Sequence, residues 1–444
     1  MTGVSTTRSG AAAQGSAATL DGILRDGLLA GVSPERLAEE FGTPFYVYDL
    51  DLIGRRVDDL RAALPPRFRL AFAIKANPAL AVVAHLARRG VGADIASGGE
   101  LETVLRAGFA PVAIAMTGPG KTEAELAAAV AAGIGAVTVE SPGELRRLEA
   151  IAARFGRRQP IMLRLSVSED AEFEQVRLIG GAPGKFGMPL DDLREAARYA
   201  AASAHLEWLG VHAFGASNLR DADRLADHVA KLVAAGRDVA AEAGVPLRLV
   251  DAGGGLGIPY ADGEQPLDLA LLGSRLAALN ATWDADPALA GMQVLVEPGR
   301  FLVGPAGAYV TRVVDVKGSA EAPVAILDGG INHALRPALV RQEHRLAVVS
   351  SDGAASRDRV PVTVAGPLCT GIDLFAKSAL LPRPQVGDLV ALLDVGAYGF
   401  TESMPMFLSH GAPAEVAIMA GRARLIRPRQ TAVEFLDRQI SPDW

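Results

Sequence analysis

The sequence predicts an α/β fold in which a (β/α)8 barrel is followed by a smaller, mostly antiparallel β domain. From residue 67 to residue 300, short apolar runs alternate with helical stretches rich in Ala, Leu, Arg and Glu, which is typical of a parallel sheet. About eight such repeats fit a closed barrel, with a doubly wound open sheet as the alternative. After Arg300 the apolar runs are β-type and separated by turns, which indicates a second domain built as an antiparallel sheet or small β-barrel.

The pattern divides the chain into six segments, and a strand at Pro44–Asp49 is expected to join the β domain. In order, the predicted segments are a disordered tail (1–18), a helical segment (19–43), a strand and helix partly joined to the β domain (44–66), the barrel (67–300), the β domain (301–430) and a C-terminal tail (431–444).

Within the barrel, each apolar run has the length of a strand, and most runs precede a helical pattern. The predicted strands are Arg69–Ile74, Gly92–Ile95, Val112–Met116, Ala136–Val139, Pro160–Leu165, Trp208–His212, Leu247–Asp251 and Gln293–Glu297. The predicted helices are Pro78–Arg89, Gly99–Ala107, Thr122–Ala132, Pro142–Phe155, Asp191–Ala202 and Ala222–Ala243. Polar residues fall at the carboxyl ends of strands, which form the catalytic edge of such a barrel: Lys75, Asp94, His212, Asp251 and Glu297.

Composition excludes several classes of function. The 444 residues are half hydrophobic and carry a net charge of −7, which argues against nucleic acid or an anionic membrane as the main partner. No apolar stretch is long enough to span a membrane, and the first residues lack a signal-peptide pattern, so we expect a cytoplasmic protein. A single cysteine, Cys369, rules out an intrachain disulfide or a cysteine-based zinc cluster, and we expect no metal.

Lys75 is the most informative residue of the barrel. It ends the apolar run Leu70–Ile74, and Asn77-Pro78 then stops the strand. Burial lowers the pKa of a lysine, and a neutral amine can form a Schiff base with an aldehyde. A lysine that extends its ammonium to solvent from a strand end is the alternative, and the pattern alone leaves both open.

Three further segments carry candidate chemistry. The glycine run within Asp251–Gly257 follows a strand and lets backbone N–H groups approach a phosphate, although glycine turns also serve tight packing. Glu297 and Arg300, in Glu-Pro-Gly-Arg, can hold a protonated ring nitrogen and a phosphate, or form an ordinary turn. Cys369 lies in a loop rich in Gly and Pro, and Tyr398 can donate to a phosphate.

Taken together, these segments resemble the fold-type III pyridoxal-phosphate decarboxylases, which include the diaminopimelate, ornithine and arginine decarboxylases. The resemblance runs from about residue 40 to residue 430 and rests on seven motifs in the family's order: Phe72–Pro78, Ala93–Leu101, Lys185–Gly187, Gly253–Gly257, Glu297–Arg300, Cys369–Asp373 and Gly396–Tyr398. It implies an alanine-racemase-like barrel, pyridoxal 5′-phosphate as cofactor, and an obligate homodimer with shared active sites.

The resemblance also implies roles for individual residues. Lys75 would hold the cofactor through its aldehyde, and Glu297 would keep the pyridine nitrogen protonated. Asp94 and Lys185 would line the ring side of the pocket, while Cys369 would reach the partner subunit's site and help to protonate the carbanion after loss of CO2. The phosphate would be bound by Ser217, Gly253, Gly254, Gly255, Gly299, Arg300 and Tyr398.

The sequence departs from the family's pattern at positions that bear on the substrate. Phe214 stands where the simple decarboxylases have a histidine stacked on the cofactor ring, and His212, two residues earlier, is a core, supporting or catalytic histidine. Thr370 replaces an acidic residue that pairs with a distal ammonium in the ornithine and diaminopimelate enzymes. Arg336 matches an arginine of the diaminopimelate enzymes, but Val340 replaces their tyrosine.

We therefore expect decarboxylation of an amino acid or aminoacyl substrate that lacks a distal amine. The residues expected to contact this substrate are Arg336, Val340, Thr370 and Asp373. The segment Phe407–Val416 resembles a natural-product branch that includes enzymes acting on carrier-protein-tethered aminoacyl groups. Alternatives are a diaminopimelate decarboxylase making L-lysine, an amino-acid racemase and a non-catalytic pyridoxal-phosphate-binding homologue. A carrier protein could dock at a basic patch formed by Arg336, Arg341 and Arg345. The default alternative is that these are solvated surface arginines.

Overall fold

The computed structural model describes residues 22–166, 185–349 and 353–442, and these residues form a closed barrel and a separate, mostly antiparallel sheet. The tail predicted for residues 1–18 lies outside them. No helix within the described residues combines the length and the apolar character needed to span a bilayer.

Eight parallel strands close into a barrel in their sequence order, so the predicted (β/α)8 barrel is confirmed and the open sheet is not formed. The strands are Phe68–Ala73, Gly92–Ile95, Ile114–Met116, Ala136–Val139, Gln159–Arg164, Leu206–His212, Leu249–Asp251 and Gln293–Val296. The helices of this part are Leu50–Ala63, Leu80–Arg88, Gly98–Arg106, Glu123–Ala132, Pro142–Arg154, Leu190–Ala202, Ala222–Ala243, Leu269–Asp284 and Arg300–Val303. Leu269–Asp284 was not predicted, because its apolar residues are spread around the helix and give little periodicity.

The helices begin soon after the strands because polar side chains cap them. Ser97 and Ser141 each follow a barrel strand closely and accept the N–H of the residue three positions later. Thr122 forms a complete capping box with Glu125. These caps stabilise short connections, so the polar side chains at the strand ends stay together at one edge of the barrel.

The second sheet includes the strand Phe45–Asp49, which pairs in antiparallel fashion with Gly307–Gly318 and in parallel with Ala414–Met419. The strand predicted at 44–49 therefore lies in this sheet. The remaining strands are Pro323–Leu327, Leu346–Val348, Arg359–Ala365, Leu374–Pro382, Leu389–Leu393 and Arg422–Arg427, with short helices at Arg336–Val340 and Ala432–Leu436.

The N-terminal segment differs from its helical prediction. A helix forms only over Pro34–Phe41, with Ser33 as its N-cap. Before it, Leu24–Arg25 and Leu28–Leu29 pair as a two-stranded hairpin whose turn places Asp26 and Gly27 at positive φ. Such a turn is set by backbone conformation and leaves no helical or strand periodicity in so short a segment.

Candidate active site

Lys75 lies directly after the first barrel strand, in a single 3₁₀ turn formed by Ile74–Ala76. Its Nζ donates a hydrogen bond to Asp94 Oδ2 at 2.9 Å, and Thr117 Oγ1 donates to Asp94 Oδ1 at 2.8 Å. Asp94 is buried, whereas the Lys75 side chain is 43% exposed. The ammonium therefore faces an open cleft while its carboxylate partner lies within the barrel.

The pKa of Lys75 is raised, so the prediction of a burial-lowered pKa is wrong. Removal from bulk water does lower it, but the charges of Asp94 and Glu297, helped by Tyr398, outweigh that effect. The strand pattern alone does not show that carboxylates end the two strands on either side of the Lys75 strand. Because Nζ holds a proton, that proton must move before the amine can attack an aldehyde. Burial and the charge of Glu297 raise the pKa of Asp94, despite the opposing effect of Lys75, and suit Asp94 to accept a proton.

A second group of polar residues lies at the ends of three consecutive barrel strands. His212, Asp251 and Glu297 are all buried, and one ligand atom from each lies within 4.8 Å of the others. His212 Nε2 is 3.8 Å from Glu297 Oε1. Oε1 of Glu297, Oδ2 of Asp251 and both imidazole nitrogens of His212 have no hydrogen-bond partner among the described residues. Buried polar atoms are rarely left unpaired, which marks this cluster as a binding site.

The pKa values of the two carboxyl groups of this cluster are shifted in opposite directions. Burial opposes ionisation of Glu297, but the neighbouring imidazole of His212, with Lys75 and Asp251, lowers its pKa to about 2. Burial and the negative charge of Glu297 raise the pKa of Asp251 well above its usual value. Of this pair, Glu297 therefore ionises more readily and Asp251 holds its proton more firmly. The spacing also suits a cation, and the absence of a metal stays a prediction.

The glycine run leaves no room for side chains. Gly253 and Gly255 have φ of +67° and +95°, a region that favours glycine. A Cβ on Gly254 would lie 2.4 Å from the Glu297 carbonyl oxygen, and one on Gly299 would lie 2.9 Å from the Ala76 Cβ. Backbone amides can thus approach an anion at this edge more closely than any side chain would permit.

Arg300 supplies positive charge beside these glycines. Its Nη2 donates to Ser217 Oγ at 3.3 Å, and its Nη1 donates to the Tyr260 hydroxyl. Its guanidinium carbon lies 4.8 Å from the centre of the Tyr398 ring. Arg300, Ser217 and Tyr398 were predicted from the sequence, whereas Tyr260, which follows the glycine run closely, was not.

The predicted cofactor residues largely meet in one cleft. Phe214 belongs to it, and a Cβ on Gly253 would lie 3.2 Å from the Phe214 ring. Asp94 and Gly253 lie just outside this lining: Asp94 accepts a hydrogen bond from Lys75, and the Gly253 carbonyl accepts the Glu297 N–H at 2.8 Å. The residues that line the cleft are Ala73, Lys75, Phe214, Ser217, Asn218, Gly254, Gly255, Leu256, Glu297, Gly299, Arg300 and Tyr398.

The β domain fixes the lysine turn from outside the barrel. Tyr398, with φ of +54°, donates its backbone N–H to the Ala76 carbonyl at 2.8 Å. Asn77 Nδ2 donates to the Gly396 carbonyl at 2.9 Å, while its Oδ1 accepts the Ala79 N–H at 3.0 Å. The sequence indicated Asn77 only as a residue that ends the strand. In the structure its side chain also links the lysine turn of the barrel to the β domain.

The loop that carries Cys369 lies elsewhere. Cys369 is exposed and Thr370 is half-buried, and neither is among the described residues that line the cleft. Asp373, expected to contact substrate, instead accepts the N–H groups of Ile331 at 2.8 Å and Leu368 at 2.7 Å. Its carboxylate thus shapes the loop, and the expected substrate contact stays a prediction.

The arginines expected at the substrate or at a carrier-protein docking surface are mostly paired with carboxylates. Arg336 contacts Glu402, and Arg345 makes a bidentate ion pair with Asp394, with Nη2 to Oδ2 at 2.7 Å. Arg341 is exposed, at the end of the helix Arg336–Val340. Val340, in the same helix, is half-buried.

Lys185 does not lie where the resemblance placed it. It is exposed, outside the cleft lining, and its Nζ lies 5.0 Å from the centre of the Phe186 ring. Residues 167–184, which precede it, lie outside the described part of the chain.

A network of buried charges on the same edge of the barrel was not predicted from the sequence. Glu140 follows the fourth strand and pairs with Arg164, the last residue of the fifth, at 2.8 Å. Lys121 and Glu144 form a second buried pair at 2.8 Å. Lys75 and Glu297 were selected because they are polar residues at strand ends. The same criterion applies equally to Glu140 and Arg164.

Comparison with known proteins identifies the family. Residues 50–304 match the model described as "Pyridoxal-dependent decarboxylase, pyridoxal binding domain". The chain therefore belongs to the pyridoxal-dependent decarboxylases, and it is a pyridoxal-phosphate-dependent amino-acid decarboxylase of fold type III.

Individual proteins of this family are similar to the chain over nearly its whole length. A diaminopimelate decarboxylase of Pseudomonas aeruginosa is 35% identical over 408 residues, covering 91% of this chain and 94% of that protein. An L-glutamyl-[BtrI acyl-carrier protein] decarboxylase of Niallia circulans is 30% identical over 415 residues, covering 92% and 96%. The crystal structure of the Helicobacter pylori diaminopimelate decarboxylase complexed with L-lysine has a TM-score of 0.82 at 31% identity, covering 91% and 98%. Two of these three proteins are diaminopimelate decarboxylases, and the third is a carrier-protein decarboxylase.

Proposed function

We propose that the cleft binds pyridoxal phosphate through Lys75, with the ring nitrogen at Glu297 and the phosphate at the glycine run and Arg300. The observation that carries this proposal is the buried, ionised Glu297 carboxylate whose Oε1 lacks a partner and lies on the same barrel edge as Lys75. A protonated pyridine nitrogen is the donor that this oxygen fits. When bound, the cofactor supplies an electron sink for the electrons released from the α-carbon.

The residues of the chain control protons and orientation around that sink. Asp94 accepts the proton of Lys75 across the 2.9 Å hydrogen bond, which frees Nζ to act as a nucleophile. Glu297 stays ionised at the pH of the cell and favours a charged ring. Phe214 offers an aromatic face for stacking, without the charge or hydrogen bond of a histidine.

We infer that two subunits complete each site, because Cys369 is exposed on its own subunit and lies outside the cleft lining. In this arrangement Cys369 of one subunit donates a proton at the site of the other. Mixing inactive Lys75→Ala and Cys369→Ala variants tests the sharing. Random reassortment should restore about a quarter of the wild-type activity, because half the dimers then carry one intact site. Mixtures that stay inactive, although the subunits exchange, would refute it.

For the substrate, we propose an amino acid or aminoacyl group without a free distal amine. Thr370 offers no charge to a distal ammonium, and Arg336 is engaged by Glu402. Diaminopimelate is the second candidate, favoured by the names of the relatives. A carrier-tethered aminoacyl group fits the first proposal and is supported by the relative from Niallia circulans.

The deciding experiment measures CO2 release by purified holoenzyme from meso-diaminopimelate, L-ornithine, L-glutamate, L-glutamine and a glutamyl-loaded carrier protein. We expect turnover of a substrate without a distal amine at least tenfold faster than that of meso-diaminopimelate. Robust, preferred turnover of meso-diaminopimelate would establish the second candidate instead.

A pair of lysine variants controls for the chemistry. Lys75→Ala should lose both CO2 release and covalent cofactor retention after borohydride treatment. Lys231→Ala, which removes an exposed helix lysine, should keep both. Retention of cofactor by Lys75→Ala after borohydride would place the covalent attachment elsewhere.

A further inference from the structure

Arg336 lies at the start of a short helix, with only 9% of its side chain exposed. Its Nη1 donates to both carboxylate oxygens of Glu402, at 3.0 and 2.8 Å, and its Nε donates to Gln342 Oε1 at 3.0 Å. Nη2 has no hydrogen-bond partner within the part of the chain that the structure describes. The guanidinium therefore offers a donor nitrogen, while its charge is already balanced.

The ion pair is built into the backbone on both sides. Glu402 ends the 3₁₀ turn Phe400–Glu402, and the next residue, Ser403, accepts the Leu335 N–H at 3.0 Å. Ser403 Oγ also donates to the Gly399 carbonyl at 2.8 Å. Leu335 directly precedes Arg336, so these bonds hold the two charged residues in register.

The pair lies beside the cleft. The Arg336 guanidinium carbon is 4.8 Å from the centre of the Tyr398 ring, and Arg300 contacts the same ring at the same distance. Tyr398 and Arg300 both line the cleft with Lys75. With Arg300 serving the cofactor phosphate, Arg336 remains beside the cleft as a cation that can face the substrate, and Glu402 is its counter-ion.

We propose that Glu402 determines substrate specificity by neutralising Arg336. The distal end of the pocket then selects an uncharged hydrogen-bond acceptor, such as a carboxamide, ester or thioester carbonyl, over a free carboxylate. A free guanidinium would prefer a carboxylate, but here a second anion would face Glu402 across one cation. This inference rests on the proposed function, because it concerns the substrate of the Lys75 site.

Three ligands that differ only in their distal group test the proposal on the holoenzyme. They are 5-aminopentanoate, 5-aminopentanamide and 1,5-diaminopentane, with dissociation constants measured from the change in cofactor absorbance. The wild-type protein should bind the amide about tenfold or more tightly than the carboxylate. In Glu402→Gln, the carboxylate should gain about tenfold, while the amide changes less than about threefold.

Glu343→Gln is the matched control, because it removes the same charge from an exposed residue next to Gln342. It should leave all three constants within about twofold of the wild-type values. A wild-type protein that binds the carboxylate as tightly as the amide overturns the proposal, whether or not Glu402→Gln folds. An unchanged ratio in a folded, cofactor-loaded Glu402→Gln also overturns it.

These outcomes are separate from those of the proposed function. Preferred turnover of meso-diaminopimelate would refute the proposed substrate. The ratio of the dissociation constants of the amide and the carboxylate would still measure the effect of Glu402. Failure to retain cofactor would refute the proposed cofactor site before any ligand is compared.

Discussion

Replacing Glu140 by glutamine tests how the catalytic edge of the barrel is held together. The Glu140 side chain is 4% exposed, and its Oε1 accepts from Arg164 Nη1 at 2.8 Å and from the Gly118 N–H at 3.0 Å. Its Oε2 accepts the Gly187 N–H at 3.1 Å. Glutamine keeps the shape but removes the charge, leaving a buried guanidinium without its counter-ion and directing an amide NH2 at N–H donors.

The expected cost follows from burial. Removing one partner of a buried ion pair costs about 3–5 kcal/mol. With roughly 2.1 cal/mol/K of unfolding entropy per residue, the 444 residues give roughly 0.9 kcal/mol/K. The midpoint of thermal unfolding should therefore fall by about 3–5 °C in calorimetry of the cofactor-saturated protein.

Glu123→Gln provides the control, because the Glu123–Arg154 pair is equally short, at 2.7 Å, but its side chains are 64% and 59% exposed. Its loss should cost about 0–1 kcal/mol, or about 1 °C at most. If Glu140→Gln lowers the midpoint no more than Glu123→Gln does, the argument from burial is refuted.

Three further substitutions test the site and its surroundings. Because the pKa of Asp251 is raised and that of Glu297 is lowered, Asp251→Asn should keep CO2 release within about tenfold, whereas Glu297→Gln should lose about a hundredfold or more. Equal losses would contradict the view that Glu297 is the more readily ionised group of the pair. Burial lowers the pKa of His344 from 6.5 to about 4. The unfolded chain therefore takes up a proton on this histidine at a higher pH than the folded protein does. The free energy of unfolding consequently falls as the pH drops from about 6.5 to 4. His344→Phe should reduce the loss of unfolding free energy between pH 6.5 and 4.5 by about 2–3 kcal/mol in urea titrations, and an unchanged pH dependence would exclude this histidine as its source. Asn77→Ala should weaken cofactor binding about tenfold, because it removes a buried bond between the lysine turn and the β domain; unchanged affinity would show that the turn holds itself.

Local periodicity and motif order were sufficient to predict the barrel, the β domain and most of the cleft. Residues such as Lys75 and Glu297 mark strand ends, and a closed barrel necessarily brings strand ends together. The pKa of Lys75 could not be predicted in this way, because its direction depends on carboxylates that are distant in the sequence. The same holds for Asp373 and Arg336, whose partners Ile331 and Glu402 lie 42 and 66 residues away.

The segment from Asp394 to Glu402 joins the chemistry to the choice of substrate. Its backbone holds the lysine turn through Gly396 and Tyr398, and the Tyr398 ring contacts Arg300 in the cleft. Four residues after Tyr398, Glu402 sets the charge of the arginine at the substrate end. The residue that balances the charge of Arg336 thus lies in the same short segment that positions Lys75. Substitutions at Glu402 should therefore alter ligand preference most, and any effect on cofactor binding should follow displacement of Tyr398 rather than the lost charge.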